Sequence, residues 1–135
     1  MSGRMQSSPP PGERCRLLVI EDETVIAMEL SFLLKELGHE VIGTDGTEAG
    51  ALSLIRRHRD EIDLVFLDAN LDGKPALQVA EELRQARIPY VMASGYEDEE
   101  LRRLGFDTGC MIGKPYSEQE VASALLSARR PRRAD

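Results

Sequence analysis

The stretch "LVFLDANLDG", Leu64–Gly73, decides the fold because it joins a strand signal to a turn signal. Four consecutive apolar residues are typical of a strand buried on both faces of a parallel sheet. Asp68 ends this run, and Asp72 with Gly73 are turn residues that lead to the next element. The stretch therefore predicts a buried central strand with a single carboxylate at its carboxyl end.

The rest of the chain alternates between strand and helix patterns. Four further apolar runs are predicted strands, namely "RLLVI" (16–20), "HEVIGT" (39–44), "IPYVMAS" (88–94) and "CMIGK" (110–114). Helical patterns follow the five strands, at 24–38, 47–59, 76–87, 98–106 and 117–130. Repeated βα units of this length predict an α/β fold, a doubly wound parallel sheet covered by helices on both faces.

Apolar residues at helical spacing predict which side of a helix faces the sheet. The expected inward residues are Val25, Ile26, Met28, Leu30, Leu33, Leu34 and Leu37 in the first helix, Ala51, Leu52 and Ile55 in the second, Leu77, Ala80 and Leu83 in the third, and Val121, Leu125 and Leu126 in the last. Thr24 is expected to cap the first helix, and Gly38 to end it.

Polar side chains follow four of the predicted strands. They are Glu21 and Asp22 after the first strand, Asp68 after the third, Ser94 after the fourth and Lys114 after the fifth. Parallel strands end at one edge of a sheet, where doubly wound folds bind their ligands. Clustered carboxylates need a cation, and hard oxygen ligands suit Mg²⁺ or Mn²⁺. A carboxylate beside such an ion can attack phosphorus, and a hydroxyl and an ammonium can hold the phosphoryl oxygens.

Composition excludes several classes of protein. The 135-residue chain fits one domain, and its net charge of −7 argues against a nucleic-acid-binding face. It has no apolar run long enough for a membrane span, and its two cysteines are too few for a disulfide framework. We therefore expect a cytoplasmic protein with a disordered tail at 1–13, one domain at 14–128 and a basic tail at 129–135.

Four motifs in order resemble the receiver domain of two-component response regulators: "VIEDE", "LVFLDANLDG", "VMASG" and "GKPY". The resemblance covers about residues 16–128 and implies the flavodoxin-like (βα)5 fold with strand order 2-1-3-4-5. It implies that Asp68 is the phosphoacceptor, that Ser94 and Lys114 bind the phosphoryl group, and that the Lys114–Pro115 bond is cis. It also implies Mg²⁺ or Mn²⁺ held by Glu21, Asp22, Asp68 and the backbone carbonyl of Asn70.

Within that family, "IPYVMASGY" resembles the FATGUY subgroup, with Tyr90 and Met92 in place of Phe and Ser94 in place of Thr. The subgroup implies sensor histidine kinases of the HWE or a related type as phosphoryl donors. Met111 stands where many receivers have a switching aromatic ring, so the resemblance assigns the activated change to residues 94–104 instead. In this segment Tyr96 is expected either to shield the phosphoryl group or to be an exposed loop residue.

Three other functions are alternatives to a phosphorylated receiver. An EF-hand calcium loop starting at Asp68 needs a glutamate at its twelfth position, where this chain has Val79. A dehalogenase-like phosphatase needs a second aspartate where this chain has Asn70. The third, a pseudo-receiver that binds a partner without phosphorylation, stays open.

The predicted role is that of a stand-alone signalling domain rather than an enzyme. No output domain follows the last predicted helix, so we expect the signal to pass to a downstream protein or to a histidine phosphotransfer domain. The expected reading surface is the fourth helix, fifth strand and fifth helix. We expect no DNA or membrane partner, and a monomer or weak dimer.

Overall fold

The computed structural model describes residues 14–95, 98–106 and 111–128 of the chain. Its strands are β1 (Arg16–Ile20), β2 (Glu40–Asp45), β3 (Leu64–Asp68), β4 (Asn70–Leu71), β5 (Lys74–Pro75), β6 (Tyr90–Ser94) and β7 (Met111–Gly113). Its helices are α1 (Thr24–Glu36), α2 (Glu48–Arg57), α3 (Leu77–Gln85), α4 (Asp98–Leu104) and α5 (Glu118–Ala128). The two tails and Tyr96 lie outside the described residues.

Five strands form one parallel sheet in the order β2-β1-β3-β6-β7. This is the predicted order 2-1-3-4-5 once the short strands β4 and β5 are set aside, so the predicted flavodoxin-like fold is confirmed. The chain runs outward in opposite directions from β1 and β3, which makes their shared carboxyl end the switch point of the sheet.

Strand β3 is buried along its whole length, as its continuous apolar run predicts. Alternate residues point to opposite faces, so Leu64 and Phe66 pack on one side while Val65 and Leu67 pack on the other. Helices α1 and α5 cover the first face, and α2, α3 and α4 cover the second. The sheet therefore has a core on each side that holds its strand ends in place.

Several predictions about helix faces are wrong. Residues Leu30 and Leu34 of α1 are buried, whereas Val25 and Met28 are each 66% exposed. Leu126 of α5 is 71% exposed, and Leu77 of α3 lies at the margin of the core, where Val79 is buried instead. Thr24 is the first residue of α1 and not its cap. The N-cap of α1 is Glu23, whose side chain makes no capping bond.

An antiparallel hairpin of β4 and β5 follows β3, an element that the sequence did not predict. Its turn residues Asp72 and Gly73 have φ of 54° and 77°, in the left-handed region that turn residues tolerate. The hairpin thus carries the expected turn and lies directly beside the end of β3. None of the helices in the described ranges has the length and apolar character needed to cross a membrane.

Candidate functional site

Three carboxylates meet at the carboxyl edge of the sheet. Asp68 is the last residue of β3, and Glu21 and Asp22 follow the neighbouring strand β1. Each contributes a carboxylate oxygen to a cluster whose atoms all lie within 4.8 Å of one another. Asp68 and Glu21 are only 7% and 6% exposed, while Asp22 is open to solvent. The cluster is therefore a partly buried acidic pocket with one open side.

Lys114 supplies a positive charge to this pocket. Its Nζ lies 2.9 Å from Oε1 of Glu21 and 3.2 Å from Oδ2 of Asp68. Strand β7 brings it there, because Gly113 pairs with Ser94 and the Lys114 amide donates to the Ser94 carbonyl at 3.0 Å. The Lys114–Pro115 bond is cis, as the family resemblance implied.

Backbone amides hold the three carboxylates from the other directions. The Asn70 amide donates to Oδ1 of Asp68 at 3.2 Å, and the Glu23 amide donates to Oε2 of Glu21 at 3.1 Å. The Asp72 amide, in the turn of the β4–β5 hairpin, donates to Oδ2 of Asp22 at 3.0 Å. Each of these carboxylates therefore has at least one oxygen oriented by the chain.

The pKa values of the two aspartates shift in opposite directions, although burial disfavours the charged form of both. Burial and, next to it, the nearby Glu21 carboxylate together raise the pKa of Asp68 to about 7, against the opposing effects of the Asn70 amide and Lys114. For Asp22, slight burial also opposes ionisation, but hydrogen bonds from the Asp72 amide and the neighbouring carboxyl groups outweigh it and lower the pKa. Without a further cation, Asp68 therefore keeps its proton at pH values well above the usual pKa of an aspartate.

The cationic and phenolic groups of the pocket respond to the same charges. Burial disfavours the ammonium of Lys114, but its contacts with Glu21 and Asp68 outweigh burial and raise its pKa. Burial raises the pKa of Tyr116, and the negative charge of Glu21 adds to the effect. Lys114 is therefore a firmly charged donor, and Tyr116 is a neutral, half-buried neighbour of the pocket.

Ser94 lies at the same edge of the sheet as the carboxylates. It ends β6 and is 3% exposed, one residue beyond Ala93, which pairs with Asp68. The sequence thus identified every side chain named so far except Tyr116. It missed the Asn70, Glu23 and Asp72 amides, because no residue type signals a backbone donor; the turn signal at Asp72 was the nearest clue.

The donor set suits a hard divalent cation. Three clustered carboxylates face one another, and two of them share a single ammonium, that of Lys114. All three side chains offer carboxylate oxygens, which Mg²⁺ and Mn²⁺ prefer as ligands over softer sulfur atoms. Burial and the neighbouring Glu21 carboxylate both raise the pKa of Asp68, so a cation bound here would favour its ionised form. A magnesium ion therefore fits the residues present.

The chain resembles known signalling proteins over most of its length. The model of the response regulator receiver domain family matches residues 17–126. The transcriptional regulatory protein PdtaR of Mycobacterium tuberculosis is 31% identical over 113 residues, which are 82% of this chain and 54% of PdtaR. This chain therefore spans about half the length of the curated relatives it matches.

Two solved structures show the same architecture. The response regulator PhyR from Brucella abortus superposes with a TM-score of 0.73 at 30% identity, over 93% of this chain and 50% of PhyR. The beryllofluoride-activated conformation of SdrG from Pseudomonas melonis superposes with a TM-score of 0.70 at 36% identity, over 83% of this chain and 93% of SdrG.

Proposed function

This chain belongs to the response regulator receiver domain family, and on that premise we propose that Asp68 accepts a phosphoryl group in a magnesium-dependent reaction. One observation carries the proposal: the nearly buried Asp68 carboxylate lies between the Asn70 amide and the Lys114 ammonium, beside two further carboxylates. Receiver domains take their phosphoryl group from histidine kinases, so the proposed donor is a kinase phosphohistidine.

In the proposed reaction one oxygen of Asp68 attacks phosphorus. The oxygen–phosphorus bond forms as the nitrogen–phosphorus bond of the donor breaks, and the imidazole leaves with the electron pair. Lys114 already contacts Oδ2 of Asp68, so its ammonium is in range to hold a phosphoryl oxygen. We assign the hydroxyl of Ser94 to a second phosphoryl oxygen, since Ser94 ends the strand next to β3.

Four groups are proposed to hold the magnesium ion. They are the carboxylates of Asp22 and Asp68, the Glu21 carboxylate acting through water, and the backbone carbonyl of Asn70. When bound, the ion offsets the charge of the carboxylates and of the phosphoryl oxygens. The Asp72 amide keeps an oxygen of Asp22 oriented, and the lowered pKa of Asp22 keeps that ligand ionised at neutral pH.

The proposed output is a protein contact. The phosphorylated domain docks on a downstream protein or passes the phosphoryl group to a histidine phosphotransfer domain, with no DNA contact of its own. A kinase of the HWE type is the proposed donor, because "IPYVMASGY" resembles the FATGUY subgroup. Transfer assays with a purified HWE kinase and an unrelated histidine kinase distinguish this donor from others.

Intact-mass analysis after incubation with acetyl phosphate tests the proposal. The wild-type chain should gain one phosphoryl group with Mg²⁺ present and none with excess EDTA, and Asp68→Asn should gain none. Labelling that persists in Asp68→Asn contradicts the assignment. A wild-type chain that binds Mg²⁺ yet takes no phosphoryl group from acetyl phosphate or a kinase favours the pseudo-receiver instead.

A further inference from the structure

Gly46 lies immediately after β2 and in contact with the loop that carries the acid pair. A Cβ atom built on Gly46 would lie 2.9 Å from Cα of Asp22 and 3.1 Å from the carbonyl oxygen of Glu21. Real Cβ atoms essentially never approach another heavy atom as closely as the first distance. Only glycine therefore allows the turn after β2 to approach Asp22 this closely.

The β2 side of this contact is the better anchored of the two. The Asp45 carboxylate accepts bonds from the amide and hydroxyl of Thr47, and the Thr47 hydroxyl accepts one from the Gly50 amide. Gly50 packs so tightly on Asp45 that a Cβ there would fall 2.1 Å from a carboxylate oxygen. We therefore expect a methyl group at Gly46 to leave the start of α2 in place.

The Asp22 side is the softer of the two. Asp22 is exposed and belongs to the short loop between β1 and α1. The Asp72 amide holds one of its carboxylate oxygens, and that bond spans two loops. A methyl group at Gly46 should therefore displace Asp22 away from the turn and out of line with Asp68.

We infer that Gly46 is a positioning residue for Asp22, and that it sets the affinity of the acidic pocket for a divalent cation. The inference rests on the proposed metal site and adds a determinant that carries no ligand atom. Outer residues that hold metal ligands typically change metal affinity by about tenfold to a hundredfold. We expect Gly46→Ala to weaken metal binding by at least about tenfold.

Direct binding of Mn²⁺, followed by electron paramagnetic resonance of the free ion, tests the inference on the full chain. Gly43→Ala is the matched control, because the atoms nearest to a Cβ at Gly43 are the side-chain ends of Leu54 and Leu18 and not backbone atoms. We expect Gly46→Ala to bind Mn²⁺ more weakly and Gly43→Ala to bind it as the wild type does. Equal affinity of Gly46→Ala and wild type, or equal weakening by both substitutions, overturns the inference.

A double-mutant cycle then asks whether Gly46 acts through Asp22. The effect of Gly46→Ala on Mn²⁺ affinity should largely vanish in an Asp22→Asn background, and an effect that persists in full contradicts the inference. If Gly46→Ala does not fold in buffer, sucrose is added, because it favours the compact state. The rise in melting temperature caused by Mn²⁺ is then compared between Gly46→Ala and the wild type under these conditions. A wild-type chain that binds no Mn²⁺ overturns the proposed metal site itself.

Discussion

At the scale of single residues, burial in the pocket disfavours the charged form of Asp68. Asp68 is buried beside Glu21, and the ammonium of Lys114 contacts both carboxylates. The resulting pKa of about 7 for Asp68 means that the native state without metal takes up a proton that the unfolded chain releases near pH 4. Protonation and metal binding at this site are therefore linked.

Stability should consequently depend on pH and metal together. Between about pH 4 and pH 7 the native state holds more protons than the unfolded chain, so the contribution of Asp68 to stability falls as the pH rises. Mg²⁺ must displace that proton, so it should raise the melting temperature more at about pH 8 than at about pH 5. At a Mg²⁺ concentration a hundredfold above its Kd, linkage predicts that the ion adds about 2.7 kcal/mol to the free energy of unfolding.

Thermal melts with Mg²⁺ and with EDTA at the two pH values measure this effect. Asp68→Asn serves as the control, because its amide does not titrate. It should melt higher than the wild type at about pH 8 without metal and should respond less to Mg²⁺. A metal response in the wild type that is equal at both pH values contradicts the linkage.

Lys114→Ala should separate metal binding from activation. The substitution removes the ammonium that contacts Glu21 and Asp68 but none of the oxygen ligands. We therefore expect retained Mn²⁺ binding and loss of most beryllofluoride-induced changes in the amide NMR spectrum. Lys35→Ala, at an exposed position in the last turn of α1, is the matched control. Full beryllofluoride-induced changes in Lys114→Ala contradict the role given to the lysine.

The sequence predicts the side chains of the pocket well because parallel strands end at one edge. That rule brings Asp68, Glu21 and Lys114 together from three separate strands. It does not locate the Asp72 amide or the contact between Gly46 and Asp22, since both depend on how two loops lie across each other. Such contacts involve backbone atoms, which every residue type carries.

At the scale of elements, helix ends are held in different ways. Thr47 caps α2 by accepting a bond from the Gly50 amide at 3.0 Å, whereas α1 starts at Thr24 without a side-chain cap. The apolar face of α1 was predicted too broadly, since Leu30 and Leu34 are buried but Val25 and Met28 are exposed. Apolar residues surround most of that helix, so spacing alone does not distinguish buried Leu30 from exposed Met28.

Two threonine substitutions test this account of the caps. Thr47→Ala removes the acceptor of the Gly50 amide and the hydroxyl that donates to Asp45, and should lower the free energy of unfolding by about 1 kcal/mol. Thr24→Ala is the matched control. It should change the free energy of unfolding by a few tenths of a kcal/mol at most, because Thr24 does not cap α1. Urea denaturation measures both. Equal losses in the two variants contradict the distinction.

At the scale of the whole molecule, the two-sided sheet places the pocket at one end, and we predict that the β6–β7 side with α4 and α5 reports on it. Met111, at the start of β7, has no aromatic ring that could switch position. Its flexible thioether fills gaps instead. We therefore predict that activation changes the segment 94–104, a two-state response to the pull of the phosphoryl group on Ser94 and Lys114.

Hydrogen exchange with and without beryllofluoride tests this prediction. Altered protection should concentrate in residues 94–104 and at the start of α5. Asp68→Asn, which should not bind beryllofluoride, is the control. Changes confined to the surroundings of Asp68, or to α1 and α2, contradict the proposed reading surface.

We propose above all that Asp68 itself carries the phosphoryl group. Reduction of the phosphorylated chain with borohydride converts an aspartyl phosphate to homoserine, and peptide mass spectrometry then locates the modified residue. We predict homoserine at position 68 after treatment with acetyl phosphate and Mg²⁺, and none when EDTA is present. Homoserine at Asp22, Asp72 or any other aspartate, with position 68 unmodified, contradicts the claim.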